Sequence, residues 1–270
     1  MTDRYAVIGH PVAHSRSPEI HASFARETGQ AIHYERLLAP RDGFHSAVEA
    51  FRAGGGRGAN VTLPFKLEAF QYANQLTERA RQAGAVNTLT FDGERILGDN
   101  TDGVGLYRDI VDNLKVPIAG ARILLIGAGG AGRGVIGPLL SASPRLIAIT
   151  NRTMSKAEEI AKHFSSLGPI RAISPGQLAA QRFDIVINAT SASIAGGLPP
   201  VPATCFVPGA LAYEMMYGKG ETPFMALATR AGARTADGLG MLVEQAAEAF
   251  FVWRGVRPAT SGVIAQMRQA

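Results

Sequence analysis

The sequence predicts an α/β protein of two domains, in which open sheets are flanked by helices. Its 270 residues exceed the commonest domain size and leave room for two cores. Short apolar runs typical of buried strands alternate with amphipathic helical segments along the chain. Near the middle, one such run, Ile123–Ile126, leads directly into a glycine-rich turn. This strand, turn and helix start indicate that a second α/β domain occupies the C-terminal half.

The glycine-rich turn has the spacing G-x-G-x-x-G, with glycines at 127, 129 and 132. The first glycine allows a tight turn, the second lets the backbone approach a pyrophosphate, and the third lets the helix pack closely on the strand. The amides and the helix dipole then favour an anion. Glycines at these offsets also occur in ordinary strand-to-helix loops. The turn predicts a dinucleotide site in a Rossmann domain, formed by Gly127, Ala128, Gly129, Gly130 and Ala131.

The composition restricts the class of protein. Hydrophobic residues make up 46%, and no run of 18 apolar residues occurs, as expected for a soluble globular protein without a membrane span. We expect no signal peptide, because the first residues lack its pattern. Cys205 is the only cysteine, which excludes an intramolecular disulfide and a cysteine-cluster metal site and agrees with a reducing cytoplasm. The net charge of +5 is dispersed, so we expect anionic small molecules rather than nucleic acid as partners.

The first strand, Tyr5–Gly9, leads into a polar loop and then into a helix with Pro18 at its first turn. Open α/β sheets bind ligands where a strand end meets a helix start. Ser15 and Ser17 in this loop could therefore hold hydroxyls or a carboxylate. Equally, Ser17 could only cap the helix while Ser15 is solvated. We expect no metal at the histidines of this stretch, because their spacing matches no metal-binding motif.

A second strand and the helix after it follow, at Ile32–Leu37 and Gly43–Ala53. The next strand carries polar Asn60 and Thr62 at its C-terminal end, and Pro64 is expected to start a helix with Lys66 in its first turn. A cation at the positive end of a helix is unusually placed. Lysines mostly lie at the surface, but this polar strand end favours a functional role for Lys66.

A hairpin is predicted across Asp92 and Gly93, between strands in the stretches 85–91 and 96–103. The second of these strands runs directly into polar residues. Asp102 could cap the following helix, which reaches about Asn113, or act as an acid in the same cleft as Lys66. The two roles are compatible.

Beyond the glycine turn, a helix is expected to run to about Leu140 despite Pro138, and a strand at 145–150 follows. An Asp or Glu at the end of that strand would bind the 2′-hydroxyl of NAD. Asn151, Arg152 and Thr153 stand there instead.

Arg152 offers a planar fork to a 2′-phosphate, and Lys156 adds a point charge, so NADP is preferred over NAD. A capping box, Ser155–Glu158, predicts that the next helix begins beside this basic cluster.

The remaining predicted strands of the second domain are 183–191, 211–217 and 233–236. Thr222 and Pro223 open a helix. A last long helix from Met241 has one broad apolar face, on which the amide of Gln245 needs a partner.

Together these motifs resemble the shikimate dehydrogenase family over roughly residues 5–268. The resemblance is specific, because several motifs occur in the family's order and spacing. They are residues 14–18 (HSRSP), 60–66 (NVTLPFK), 85–88 (AVNT), 98–103 (GDNTDG) and 237–242 (DGLGML).

The resemblance implies a role for each predicted site residue. Ser15 and Ser17 would hold the shikimate carboxylate, and Lys66 and Asp102 would be the catalytic pair. The ring-binding cleft would be lined by Thr62, Lys66, Asn87, Asp102, Tyr217 and Gln245. The turn from Gly127 to Ala131 would hold the pyrophosphate. The adenosine phosphate would lie at residues 151–156, and the nicotinamide near Met215, Gly238 and Met241.

Three positions depart from the family's pattern. Ala22 stands where the family often has Asn, Glu214 where Asp is usual, and Gly218 with Lys219 where a proline is common. These departures put little of the chemistry in doubt.

By the same resemblance, residues 1–102 together with 239–270 would form the substrate domain and 103–238 the Rossmann domain, with the active cleft between them. The expected reaction is reversible reduction of 3-dehydroshikimate by NADPH, in a cytoplasmic monomer or homodimer.

Two other classes share some of these features. A redox-silent NADP-binding sensor would keep the glycine turn but would not need Lys66 together with Asp102. A two-domain dehydrogenase or transferase acting on a folate-like substrate could share Lys66 but would not need Ser15 and Ser17.

Overall fold

The computed structural model describes residues 2–190, 192, 197–218 and 220–269. The chain divides into two compact units. The first unit runs to Gly105 and resumes at Leu242, and the second unit spans Leu106–Met241. That the first unit binds a substrate and the second a cofactor is a prediction.

Over the described residues of the first unit, six strands form one mixed sheet: β1 (Asp3–Gly9), β2 (Ile32–Leu38), β3 (Gly56–Val61), β4 (Gln75–Leu76), β5 (Thr88–Asp92) and β6 (Arg95–Asp99). Their order across the sheet is β2-β1-β3-β5-β6-β4. Strand β1 pairs in parallel with both β2 and β3, whereas β5 is antiparallel to β3 and β6. The chain therefore leaves β1 towards one side and later returns on the other. This makes the carboxyl end of β1 a topological switch point, where such sheets bind ligands.

The second unit, where described, has a sheet of six parallel strands: β7 (Arg122–Ile126), β8 (Leu146–Thr150), β9 (Ile170–Ala172), β10 (Phe183–Asn188), β11 (Phe206–Glu214) and β12 (Arg234–Asp237). The order is β12-β11-β10-β7-β8-β9. Counted within this unit it is the 3-2-1-4-5-6 order of a Rossmann fold, which confirms the predicted fold class.

The apolar runs of these strands reflect burial on both faces of the second sheet. In β7, Ile123 and Leu125 belong to one buried cluster, and Leu124 and Ile126 belong to another. Successive side chains of a strand point to opposite faces, so both faces of β7 are covered.

The helices described are α1 (Ser17–Thr28), α2 (Phe44–Ala53), α3 (Lys66–Tyr72), α4 (Glu78–Ala83), α5 (Asp102–Arg108), α6 (Gly130–Ser141), α7 (Met154–Phe164), α8 (Pro223–Arg230), α9 (Leu239–Arg254) and α10 (Ser261–Gln269). One π-helical turn, Asp109–Asn113, continues α5. Pro138 lies inside α6, which continues past it as predicted. None of the helices in the described ranges is long and apolar enough to cross a membrane.

Several helix starts differ from the prediction. Helix α1 begins at Ser17 with Arg16 at its N-cap, and no side chain caps it, so a capping role for Ser17 is wrong. The amide of Ser17 instead donates to Ser15 Oγ (3.3 Å). Helix α3 begins at Lys66 rather than at Pro64.

The predicted capping box at Ser155 is also wrong. Helix α7 begins at Met154, with Thr153 at the N-cap and no side-chain cap bond. Asn151 Nδ2 donates to the Thr153 carbonyl (2.9 Å), and this contact closes the turn before the helix. At α8, in contrast, Thr222 is the N-cap as expected, and its hydroxyl accepts from the Met225 amide (3.2 Å).

Strand β11 begins earlier than predicted and ends at Glu214 rather than at Tyr217. The strand ends there because the Glu214 carboxylate accepts from the Met216 amide (3.3 Å) and closes a turn. Ser191, expected at the end of β10, and Lys219, one of the departures from the family's pattern, lie outside the described residues.

Candidate functional site

The switch point of the first sheet is bordered by the residues that follow β1 and β3. Thr62 comes directly after β3, and its amide donates to the Ile8 carbonyl (2.9 Å). A Cβ on Gly9 would lie 2.5 Å from the Thr62 methyl, so only glycine allows the ends of β1 and β3 to approach this closely. Thr62 is thereby placed at the carboxyl edge of the sheet.

The loop after β1 brings Ser15 and Ser17 together. Ser15 Oγ donates to Ser17 Oγ (3.2 Å), and Ser17 is 5% exposed. Arg36 on β2 holds the loop in place, because its guanidinium donates twice to the Ser15 carbonyl, at 2.9 and 2.6 Å. Two hydroxyls at the start of a twelve-residue helix form a surface suited to an anion.

Lys66 and Asp102 form an ion pair within the first unit. Lys66 Nζ lies 2.5 Å from Asp102 Oδ2, and the two side chains are 23% and 10% exposed. The other carboxylate oxygen of Asp102, Oδ1, accepts from Asn87 Nδ2 (2.8 Å). The ammonium is therefore held at a fixed point, while the Lys66 side chain as a whole stays partly exposed.

Backbone hydrogen bonds connect the segments that carry this pair. The Val86 amide donates to the Lys66 carbonyl (2.9 Å), and the Asn87 amide donates to the Asp99 carbonyl (3.0 Å). Residues 66, 87 and 99, which are distant in sequence, are thereby fixed beside one another. The position of Asp102 follows from this arrangement, because it starts α5 three residues after β6 ends.

Asn87 connects the ion pair to Gln245 on α9. Asn87 Nδ2 also donates to Gln245 Oε1 (3.4 Å), and Gln245 Nε2 donates to the Leu242 carbonyl (2.9 Å). The amide on the apolar face of this helix thus has the partner that the sequence required.

One hydrogen-bonded cluster of the first unit contains four of the predicted substrate residues: Lys66, Asn87, Asp102 and Gln245. Three more residues of this unit follow the ends of β1 and β3: Ser15, Ser17 and Thr62. Tyr217, the remaining one, belongs to the second unit.

Several polar residues around this cluster had not been predicted as site residues from the sequence. Tyr34 OH donates to Asn60 Oδ1 (2.7 Å), and Asn60 Nδ2 donates to Thr88 Oγ1 (3.1 Å). Thr88 Oγ1 in turn donates to Asn87 Oδ1 (2.9 Å), which also accepts from the Thr101 amide (2.9 Å). The signal for Thr88 and Thr101 was their place directly after Asn87 and directly before Asp102. No signal in the sequence indicated Tyr34, because its contact with Asn60 depends on the register of β2.

His21 packs against Tyr34, the outermost residue of this hydrogen-bond network. Its ring is fully buried and stacks on Tyr34 at 4.1 Å between centroids. Neither ring nitrogen has a hydrogen-bond partner among the described residues. Burial lowers the pKa of His21 to about 3, against a smaller opposing effect of the Asn60 amide. The imidazole is therefore neutral in the folded protein throughout the neutral pH range.

Replacing His21 with phenylalanine should reduce the acid sensitivity of the fold. Because the folded-state pKa lies below the unfolded value, the unfolded chain binds the extra proton, and stability is lost as the pH falls below the unfolded pKa. We expect the loss of unfolding free energy between about pH 7.5 and about pH 5.5 to be about 1.4 kcal/mol smaller in His21→Phe. Urea denaturation of both proteins at the two pH values measures it. An equal loss in both proteins would contradict a neutral buried His21.

The glycine turn of the second unit has the geometry of an anion cradle. Gly127 has φ +111°, and a Cβ on Gly132 would lie 2.2 Å from the Gly127 carbonyl oxygen. Gly127 and Gly132 therefore allow the tight turn and the close packing of α6 on β7. At Gly129 and Gly130, a Cβ would meet nothing within 4 Å, so an open space lies against the backbone at the N-terminus of α6.

Asn151 connects this turn to the basic segment after β8. Asn151 Oδ1 accepts from the Ala128 amide (3.2 Å), while its Nδ2 donates to Thr153 as described above. Arg152 and Lys156 are exposed in the same segment. Two cations thus lie beside a turn that favours anions.

The three residues expected near the nicotinamide also lie together in the second unit. The Gly238 amide donates to the Met216 carbonyl (3.0 Å), and a Cβ on Gly238 would lie 2.2 Å from the Met215 carbonyl oxygen. Met215 packs against the buried cluster that contains Met241. These residues line the carboxyl ends of β11 and β12, and Tyr217 follows Met216 at the same end.

Three family models match the chain. They describe a shikimate dehydrogenase substrate-binding domain at residues 7–89, a shikimate/quinate 5-dehydrogenase at 109–195, and a shikimate 5′-dehydrogenase C-terminal domain at 238–270.

Whole proteins match along their full length. A shikimate dehydrogenase (NADP(+)) from Dechloromonas aromatica is 58% identical over 99% of this chain and 98% of the relative. The crystal structure of an Ael1 enzyme from Pseudomonas putida is 50% identical, with a TM-score of 0.94 over 98% of both chains. The shikimate 5-dehydrogenase of Thermus thermophilus, solved in complex with NADP(H) and shikimate, is 32% identical, with a TM-score of 0.89 over 99% of both chains.

Proposed function

Because the chain belongs to the shikimate dehydrogenase family, we propose that it catalyses the reversible, NADPH-dependent reduction of 3-dehydroshikimate to shikimate. The observation that carries this proposal is the ion pair of Lys66 and Asp102, 2.5 Å apart. It lies beside a cluster of hydroxyl and amide groups suited to a polyhydroxylated ring.

The second unit has the groups that binding of NADP would require. The open backbone at Gly129 and Gly130 would take the pyrophosphate, and Arg152 with Lys156 would hold the 2′-phosphate of NADP. No acidic residue stands at residues 151–153, where a carboxylate would repel that phosphate. When bound, NADPH supplies the hydride that reduces the substrate carbonyl.

The proton of the reduction would come from Lys66. Its side chain is partly exposed, and its ammonium would donate a proton to the oxygen that becomes the hydroxyl; in the oxidation direction the neutral amine would accept it back. Asp102 holds Nζ in position, and Asn87 holds Asp102. Nearby, Thr62, Asn87 and Gln245 offer hydrogen bonds to the ring hydroxyls.

An assay of NADPH oxidation with 3-dehydroshikimate tests the proposal directly. Turnover that requires both compounds is expected. NADP binding without turnover would instead indicate a redox-silent sensor. Turnover only with a folate-like substrate would indicate a dehydrogenase or transferase of similar two-domain build. The same assay in the oxidation direction, with shikimate and then quinate, determines the substrate range.

Replacing Ser15 and Ser17 together with alanine should raise the KM for shikimate roughly 10-fold or more. The substrate carboxylate would lose one hydrogen bond for each hydroxyl removed. Hydrogen bonds to a charged group are stronger than those between neutral groups. NADP binding should not change. Ser23→Ala is the matched control, because this exposed serine lies on the same helix, where its hydroxyl donates to the Glu19 carbonyl and accepts from the Arg26 guanidinium. An unchanged KM in a double variant that merely melts earlier would assign the two serines a structural role.

A further inference from the structure

Glu214 is a fully buried carboxylate at the carboxyl end of β11. Its Oε2 accepts from Asn188 Nδ2 (2.9 Å) and from the hydroxyl of Thr222 (3.2 Å). Its Oε1 accepts from the Met216 amide (3.3 Å). One side chain thus connects the end of β10, the turn after β11 and the N-cap of α8.

The first of these contacts extends to the glycine turn. Asn188 Oδ1 accepts from both the amide (3.2 Å) and the hydroxyl (2.8 Å) of Thr190. The Thr190 methyl lies 3.0 Å from the place that a Cβ on Gly127 would take. Glu214 therefore fixes, through Asn188, the side chain that packs against the first glycine of the turn.

The contact with Met216 extends in the other direction. The Met216 carbonyl accepts from the Gly238 amide (3.0 Å), and the carbonyl of the preceding Met215 packs on Gly238. The bond from the Met216 amide to Glu214 therefore orders the segment against which Gly238 lies.

We propose that Glu214 is a positioning residue for the cofactor. It sets the relative position of the glycine turn and of the segment 215–216, which follow the carboxyl ends of β7 and β11 on either side of β10, where a Rossmann sheet binds its ligand. Burying a carboxylate costs free energy, and an apolar residue could fill the space at a lower cost. A positioning role accounts for this cost. The inference rests on the proposed binding of NADP.

The variant Glu214→Gln tests it. Glutamine keeps the length of the side chain but exchanges one acceptor oxygen for an NH₂ group. Its oxygen would be retained by the two donors at Asn188 and Thr222, so the NH₂ would face the Met216 amide, which is also a donor. The segment 215–216 would be released. We expect the Kd for NADP+, measured by titration calorimetry on the full chain, to rise roughly 10-fold, while the KM for shikimate changes little.

Thr222→Val is the matched control. It removes another donor to the same carboxylate and the cap of α8, so the melting temperature should fall, but the bond to the Met216 amide stays. The Kd for NADP+ should therefore stay within about 2-fold of the wild-type value. An equal rise in Kd in both variants would attribute the effect to lost stability and overturn the proposal.

Glu214→Asp provides a second comparison that does not depend on the folding of the glutamine variant. Aspartate keeps two acceptor oxygens but is one methylene shorter, so we expect the Kd for NADP+ to rise only about 3-fold. An unchanged Kd in both Glu214 variants would refute the positioning role alone. Failure of the wild-type protein to bind NADP+ would refute the proposed function, and this inference with it.

Discussion

Replacing Lys66 with methionine is expected to lower kcat by about 10²–10⁴-fold, the usual yield of a positioned proton-transfer group. Substrate binding should weaken far less. Methionine keeps an unbranched apolar stem that can pack where the lysine stem lies, but it has no ammonium. The variant should therefore fold normally, and the effect should be confined to the chemical step. Steady-state kinetics in both directions, at saturating NADP(H), provide the measurement.

The division between kcat and KM decides the role of Lys66. A raised KM with an unchanged kcat would mean that the ammonium only holds the substrate, with the same strength in the ground state and in the transition state. Lys162→Met is a suitable control, because this exposed lysine of α7 carries the same charge and stem but belongs to the other unit. It should leave both constants unchanged.

Asp102→Asn examines whether the pair acts as one unit. Both described neighbours of the carboxylate, Lys66 Nζ and Asn87 Nδ2, are donors at 2.5 and 2.8 Å. The asparagine NH₂ must therefore face one of them, and one bond is lost. If Asp102 acts by holding Lys66, the double variant with Lys66→Met should be scarcely slower than the worse single variant. Fully additive losses would indicate independent roles.

Arg152→Ala should weaken NADP binding about 10- to 150-fold and leave NAD binding nearly unchanged. The variant loses a charge-assisted contact with the 2′-phosphate, worth roughly 1.5–3 kcal/mol. NAD has a hydroxyl at that position and would not use this contact. Titration calorimetry with both cofactors measures the two affinities.

Lys162→Ala serves as the control for charge in the cofactor experiment. It removes one positive charge from the last turn of the same helix that starts beside Arg152, so it reproduces the change in net charge without the contact. A comparable loss of NADP affinity in this control would mean a general electrostatic effect. Equal losses for NADP and NAD in Arg152→Ala would contradict a specific 2′-phosphate site.

The glycine turn and the strands around it could be predicted because their signals are local. A parallel strand buried on both faces is an apolar run, and the glycines at 127 and 132 are required by a tight turn and by a close approach of backbones. The hairpin at Gly93, with φ +55°, was predictable for the same reason. These features depend on neighbours in sequence, so periodicity and spacing determine them.

Helix starts were less predictable, because a distant or unexpected side chain can supply the hydrogen bond. Ser155 has the sequence of a capping box, but the contact of Asn151 with Thr153 closes the turn first and the helix begins at Met154. Ser17 looked like a cap, yet its amide is satisfied by Ser15. Propensity describes which residue could cap a helix, whereas the competing contacts decide which one does.

The sequence by itself determined the two-part α/β fold class, the glycine turn, the basic segment after β8 and the residue types available for chemistry. Only the tertiary structure decided which of them meet. Lys66, Asn87, Asp102 and Gln245 lie on different elements, and the register of the first sheet and the docking of α9 bring them within hydrogen-bond distance. The burial of Glu214 and its three described contacts depend likewise on the order of β10 and β11 in the second sheet. Contacts between residues far apart in the chain depend on pairing and packing, which local sequence patterns do not encode.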